Sequence, residues 1–419
     1  MNTSVPPSTL HPLTVIDGPP AWKRLVVAVL LSMVGGVGMW SVVVALPAVQ
    51  AEFGVARAEA SLPFTLTMVG FGLGGVAIGR MADRMGITIP SLLATAALAS
   101  GYLLSALAPN ITVLAVIYGA LIGFGASAGF GPLVADISHW FARRRGLAIA
   151  ICASGNYLAG TFWPPIVERA IDAYGWRAAH VGVGLFCAVA MVPLALLLRR
   201  RLPTTTADGA AAASFVPPER AFGITPGTLQ ALLVVAGVGC CVAMSMPQVH
   251  IVAYCGDLGY GVARGAEMLA LMLACGIISR IGSGFIADRI GGLRTLLLGS
   301  VLQGLALLLY LFFDGLTSLY VISALFGLFQ GGIVPSYAII IRDFFSPREA
   351  GGRLGLVVLA TVFGMALGGW LSGKIFDLAG SYQAAFLNGL GFNLLNVAII
   401  VFLMVRSAGQ RRHLVGAPA

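Results

Sequence analysis

The chain has 419 residues, 58% of them hydrophobic and only 10% charged, with a mean hydropathy of +0.93 and a formal charge of +9. Soluble domains carry about 25% charged residues, so this composition excludes an ordinary soluble fold and makes lipid the main solvent. Helices are the expected element, because an unpaired backbone group in hydrocarbon is costly, and long unbroken apolar runs exclude a membrane barrel.

Residues Met1 to Pro20 are polar and proline-rich and read as a tail. Lys23 and Arg24 precede a first span ending near Pro47, and a second covers about Leu62 to Ile78. This first apolar run is too long for a cleavable signal and lacks a small-residue cleavage site, so it reads as a span. The charged turn Gly79-Arg80-Met81-Ala82-Asp83-Arg84-Met85-Gly86 follows. Spans three and four are joined by Ala108-Pro109-Asn110. His139 to Arg145 is a basic loop, and spans five and six flank Glu168 to Trp176. Arg199 to Arg220, with Pro203, a Thr run, an Ala run and Pro217-Pro218, has linker composition. Six further spans are expected near 228–256, 264–286, 294–313, 317–341, 354–376 and 384–405. The expected organisation is a tail (1–22), a six-helix bundle (23–200), a linker (201–225), a second six-helix bundle (226–406) and a tail (407–419). The fold class is thus an all-α membrane protein of twelve transmembrane helices in two pseudo-symmetric bundles.

The charges agree with this map. Alternate loops hold nearly all the basic residues, whereas the opposite loops hold only Arg57, Arg169, Arg177 and Arg264. The positive-inside rule then puts both termini in the cytoplasm and removes the nucleic-acid reading that +9 invites. Cys152, Cys187, Cys240, Cys241, Cys255 and Cys275 fall in apolar runs without a Cys-x-x-Cys pair, so neither a disulfide framework nor a metal site is indicated. Gly70-x-Gly72-x-x-Gly75 matches a dinucleotide fingerprint but lies inside an apolar helix with no preceding strand. No nucleotide-binding lysine loop and no catalytic constellation occur, so no cofactor and no enzyme activity is expected.

The two halves repeat. Gly79, Asp83, Arg84 and Gly86 return as Gly284, Asp288, Arg289 and Gly291 at one offset, 284 − 79 = 205. Asp172 and Gly175 return as Asp377 and Gly380 at the same offset. One spacing at two separated places indicates a parallel repeat of two bundles facing one another.

Arg280 lies inside the second copy's apolar run, eight residues before Asp288 and so about 12 Å along a helix. A cation in hydrocarbon costs at least about 2.5 kcal/mol and needs a partner or a task. A guanidinium fork matches a carboxylate with two hydrogen bonds, which makes Arg280 the candidate anchor of an anionic substrate. Snorkelling to the interface, or a structural ion pair, is the competing reading. His250 and Asp257 are 257 − 250 = 7 apart and share a helix face with Met246 and Tyr254. Asp257 is the favoured site for a coupled proton, with His250 as relay or substrate contact; a water-facing aspartate and a hydrogen-bonded core histidine are the alternatives.

The repeated Gly-x-x-x-Asp-Arg-x-Gly turns, twelve spans and long middle connection resemble the major facilitator superfamily over nearly the whole chain. A narrower resemblance is to the monocarboxylate transporters. It is carried by Asp17-Gly18-Pro19-Pro20-Ala21-Trp22, by Trp140-Phe141-Ala142-Arg143-Arg144-Arg145-Gly146-Leu147-Ala148 with Ser154-Gly155, and by the position of Arg280. The resemblance implies uptake of lactate, pyruvate or similar anions with a proton, and a carboxylate on Arg280. The chain departs from the mammalian pattern in two places. Nothing between Arg24 and Glu52 is ionisable, and Gly276 stands one turn before the arginine where that family has an aspartate. The stretch from Pro247 to Asp257 resembles bacterial relatives, including oxalate/formate exchangers. In those exchangers a second buried cation balances a second carboxylate; Lys374, three residues before Asp377, reads as too shallow for that, which favours a monocarboxylate. Tyr118, Asn156, Tyr157, Tyr337, Asn388 and Asn393 are polar groups in apolar runs. Tyr118, Tyr337 and Asn393 are taken as further substrate contacts, the two tyrosines because spans four and ten line the cavity in this superfamily. The repeated turns, with Asp136 and Asp343 at the ends of spans four and ten, are read as gating or structural motifs that pair across the halves. The expected function is proton-coupled symport of a small monocarboxylate by alternating access, with a carboxylate exchanger and a non-transporting sensor as rivals. The expected partners are the anion, a proton and the bilayer.

Overall fold

The computed structural model describes residues 16–200 and 223–415. The tail before residue 16 and most of the connection expected at 201–225 lie outside them. Eleven helices among the described residues are long and apolar enough to cross a membrane. They are α1 (Pro19–Phe53), α2 (Arg57–Met85), α3 (Thr88–Ser105), α4 (Ile111–Trp140), a long Gly146–Leu197, then α7 (Pro226–Asp257), α8 (Val262–Ile290), α9 (Gly292–Phe312), α10 (Leu316–Phe344), α11 (Gly351–Ala379) and α12 (Gln383–Ser407). The 52-residue helix turns at Gly175, whose φ of 79° and ψ of 159° are not helical, so it crosses twice. Its arms are α5 and α6, and the crossings number twelve, as the apolar runs predict. An even number puts the start of α1 and the end of α12 at one end of the molecule, here the terminal face; the other end is the distal face.

The repeated turn motif has a clear conformational content. Gly86 and Gly291 end α2 and α8 with φ of 76° and 83°, a region closed to most side chains. Asp83, Arg84, Asp288 and Arg289 are exposed, and among the described residues they form no ion pair. Asp136, expected to pair across the halves, is held by Arg24 of its own half at 2.7 Å.

The halves also repeat in how they pack. A methyl group on Gly123 would overlap the Thr67 carbonyl, and one on Gly327 would overlap the Met272 carbonyl. Thr67 and Met272 are 205 apart and the two glycines 327 − 123 = 204 apart. Without a hydrophobic force between helices in lipid, such small residues are what let backbones approach. Two glycines of the false dinucleotide fingerprint find their use here: Gly70 packs on the Gly119 carbonyl, and a methyl group on Gly72 would lie 3.2 Å from Leu359 of α11.

At the terminal face the two stretches that resemble monocarboxylate transporters meet. The Asp17 carboxylate accepts from the backbone N–H groups of Arg143 (2.9 Å), Ala142 (3.2 Å) and Arg144 (3.4 Å), and its own N–H donates to Trp140 O (3.1 Å). Trp22 packs edge-on to Phe141 at 5.1 Å, and the Arg24 guanidinium lies 4.5 Å over Trp140. The entry to α1 is thereby tied to the α4–α5 loop.

The backbone bond from Arg143 chiefly holds the Asp17 carboxyl below its ordinary range, slight burial opposing it. A depressed carboxyl stabilises the fold above its unfolded value and loses that contribution as pH falls through the folded value. Asp17→Asn therefore lowers the melting temperature of the detergent-solubilised protein at pH 7, and the difference from the parent closes as pH falls through the lowered folded value of Asp17. Packing gives a second expectation. Gly327→Ala overpacks a backbone contact and destabilises by about 1–3 kcal/mol, whereas Gly75→Ala, where a methyl meets nothing within 4 Å, leaves the melting temperature unchanged or slightly raised.

Candidate functional site

Two pairs of helices make most of the contact between the halves, α2 with α11 and α5 with α8, and both pairs part in the same direction. On α2, Phe64 packs against Gly369, Thr65 Oγ1 donates to Ala366 O at 3.2 Å, and Gly72 meets Leu359. Gly75 and Gly79, on the same helical face one and two turns further, meet nothing within 4 Å. On α8, Leu273 fills the space left by Gly160, and Tyr157 fills that left by Gly276. Arg280 Nη1 then donates to Ala153 O at 3.1 Å, and Gly284 meets nothing. Residues 273, 276, 280 and 284 follow one another at helical spacing along one face. The halves therefore touch from the distal face to mid-depth and separate toward the terminal face. Arg280 is the last contact before the gap.

Arg280 stands 290 − 280 = 10 residues from the terminal end of α8 and 280 − 262 = 18 from its distal end, about 15 and 27 Å along the helix. Its guanidinium crosses to α5, where it lies 4.4 Å over the Tyr157 ring, a cation–π contact that strengthens away from water. Its Nε is buried and has no hydrogen-bond partner, and among the described residues no carboxylate pairs with it. Asn156 Oδ1, beside Gly36 of α1, is also buried and unpaired, while the Asn156 carbonyl accepts from Trp40 Nε1 at 3.2 Å. The result is a half-buried cation between the halves with a donor to spare.

The distal face is closed by a second arginine. Arg57, at the start of α2, is 7% exposed, and its guanidinium contacts Asp257 of α7 at 3.1 Å. Its Nη1 donates to Tyr382 Oη at 2.6 Å, and its Cζ lies 4.7 Å over Phe376. Asp377 accepts from the backbone N–H groups of Arg57 and Ala58, both at 2.8 Å. Tyr382 also bonds His250 Nδ1 at 3.2 Å, and His250 Nε2 donates to Gly369 O at 2.8 Å. Asp257 and His250 are thus connected, but through Arg57 and Tyr382, two residues that spacing along α7 does not reveal. Arg57 was visible only as one of four basic residues in loops otherwise poor in them. Asp257 sits at the far end of the molecule from Arg280.

The other expected substrate contacts lie inside their own halves. Tyr118 Oη bonds His180 Nε2 at 3.0 Å, and His180 Nδ1 bonds Ser105 Oγ at 3.0 Å. Tyr337 donates to Asn396 at 3.1 Å, and Asn393 donates to Ser300 O at 3.1 Å and Gln303 Oε1 at 3.0 Å. The structure brings none of Tyr118, Tyr337 or Asn393 to Arg280. The fully buried His180 was missed; a lone histidine after Trp176-Arg177 in an apolar run was the only signal. Lys374 is exposed at the distal end of α11.

Comparison with known proteins follows the same lines. Monocarboxylate transporter 13 of Bos taurus is 28% identical over 307 residues, 73% of this chain and 71% of that one. Monocarboxylate transporter 13 of Rattus norvegicus is 27% identical over 346 residues, 82% and 78% of the two chains. Among solved structures, a mutant of the nucleoside transporter NupG superposes with a TM-score of 0.72 at 13% identity, covering 90% of this chain and 99% of that one. A bacterial homologue of the human lysosomal transporter Spinster, inward-facing and occupied, gives 0.62 at 18% identity over 92% and 95%. At these identities the structures speak to the fold alone. The family model of the Major Facilitator Superfamily matches residues 28–318 and 281–419, so the chain belongs to that superfamily and is a multi-pass membrane transporter, not an enzyme.

Proposed function

We propose that the protein is a proton-coupled symporter of a small monocarboxylate such as L-lactate or pyruvate, working by alternating access. The observation that carries this reading is Arg280: a guanidinium at the apex of the gap between the halves, stacked on Tyr157, with an unpaired Nε and no carboxylate of the described chain beside it. A substrate carboxylate would complete its fork and cancel a charge that is costly at this depth, which lowers the barrier to rocking one half on the other. The similarity to monocarboxylate transporters supports the same substrate class. Lys374 is exposed, so it does not supply a second buried cation beside Arg280 for a dicarboxylate. In this reading the membrane is the cell's inner membrane, the basic loops put the terminal face in the cytoplasm, and the arrangement described above is open inward.

Asp257 is the proposed proton acceptor. The groups that face it are Arg57 directly, with Tyr382, Asp377 and His250 joined to it through Arg57 or Tyr382. A proton on Asp257 removes the charge that holds Arg57 and so weakens the distal closure. Acid on the distal side then favours opening toward that side, where anion and proton enter.

Arg280→Ala should reduce uptake of labelled lactate into proteoliposomes to background while the protein keeps its elution profile and melting temperature. Arg280→Lys, which keeps the charge and loses the fork, should cost about tenfold or more. Normal uptake by the alanine variant would end the proposal. Asp257→Asn should abolish the stimulation by an inward proton gradient and spare lactate exchange; unchanged pH coupling would remove Asp257 from the mechanism. Stimulation by internal oxalate and not by a proton gradient would point to the exchanger instead, and binding without flux to a sensor.

A further inference from the structure

The distal face holds a cavity of about 430 Å³ lined by Arg57 and Asp257 together with Pro47, Gln50, Val55 and Ala253. Small-molecule sites span about 300–1,000 Å³. We propose that this cavity is a reception site for the carboxylate anion, in which the anion takes the place of Asp257 on Arg57 and so unfastens the distal gate. The proposal rests on the reading of the chain as a monocarboxylate carrier and adds a second anion site to it.

The two members of the ion pair are not equally committed. The Arg57 side chain is 9% exposed, is clasped by Tyr382 and Phe376, and keeps a buried, unpaired Nε. The Asp257 side chain is 37% exposed at the cavity wall. A buried guanidinium must keep an anionic partner, whereas a carboxylate half in water loses little by being released. An incoming carboxylate offers the chemistry that Asp257 offers, so the exchange is one for one and conserves the hydrogen bonds to Arg57. A neutral solute or a cation cannot make it. Releasing Asp257 frees α7 from the start of α2, the one direct ion pair between the halves among the described residues. The anion would thereby loosen the closure that bars its own path to Arg280, about 27 Å further along α8.

The test separates this site from Arg280. The full chain carrying Arg280→Ala and Cys275→Ser is reconstituted with spin labels at Leu107→Cys and Phe312→Cys, both exposed at the distal face, one in each half and away from the gate. Distances are measured by double electron–electron resonance in sodium L-lactate and in sodium chloride of equal ionic strength at one pH. Lactate should lengthen the distal distance although Arg280 is gone. Adding Asp257→Asn should lower the half-saturating lactate concentration about threefold, the weight of a half-exposed ion pair, and adding Arg57→Gln should abolish the lactate response. A response that needs Arg280, or one that Arg57→Gln leaves intact, overturns the proposal. Lactate flux is followed in matched vesicles of the Arg280 protein. Opening by lactate without any flux would leave the reception site standing and overturn the proposed function.

Discussion

A guanidinium held between two halves of a membrane protein, without a carboxylate beside it, is the constraint on which the rest of this structure turns. Hydrocarbon makes such a group expensive, and the fold offsets only part of the cost. Ala153 O accepts one hydrogen bond and the Tyr157 ring covers one face, but Nε stays unmatched. Arg57 leaves its Nε unmatched as well, but it has what Arg280 lacks, a carboxylate of the chain, together with a phenol and an aromatic face. The difference between them separates a fastening from a docking point. One closes a gate with partners the chain supplies, and the other waits on a partner that the described chain does not hold.

Glycines decide where the halves touch. In lipid, contact between helices follows from shape, and a missing side chain on one helix makes room for a large one on the other. Gly160 admits Leu273 and Trp40, Gly276 admits Tyr157, and Gly369 admits Phe64. Past Arg280 on α8, Gly284 faces space, and past Gly72 on the same face of α2, Gly75 and Gly79 do too. In the proposed cycle the same small residues would close against each other when one half rocks on the other, since they present nothing that would clash. The repeated turn motif lies on that side as well, with Asp83, Arg84, Asp288 and Arg289 exposed there.

The fold was legible because its signals are redundant. Long apolar runs, alternating loop charge and the 205-residue repeat each lead to two six-helix bundles, and Gly86 and Gly291 carry their turns whatever surrounds them. The position of Arg280 was legible for the same reason, since a cation in an apolar run is conspicuous. What it touches was not, because Ala153 and Tyr157 belong to another helix 127 and 123 residues away (280 − 153 and 280 − 157) and carry no charge pattern. Tyr118, Tyr337 and Asn393 show the complementary limit. A polar group in a span must bond something, and the chain alone does not say whether that is a ligand or the helix behind it; here His180, Asn396 and Gln303 take them. The distal gate was hidden because its parts come from four places, α2, α7, α11 and the turn before α12, that only the assembled fold brings together.

The distance between Asp257 and Arg280 bears on how the proposed coupling would work. Charges about 27 Å apart, on opposite sides of a packed core, do not sense one another strongly enough to exchange a proton for an anion by direct attraction. They can still be coupled if each biases the same two-state element. In the proposed cycle that element is the pair of halves. Asp257, when charged, favours the distal-closed arrangement through Arg57, and an anion on Arg280 favours passage between arrangements by removing a buried charge. Neither needs to touch the other, and the family's missing aspartate at Gly276 is then no obstacle. In the proposed cycle a proton site at Asp257 would keep the linkage, while Gly276 leaves room for the Tyr157 ring that stacks on Arg280.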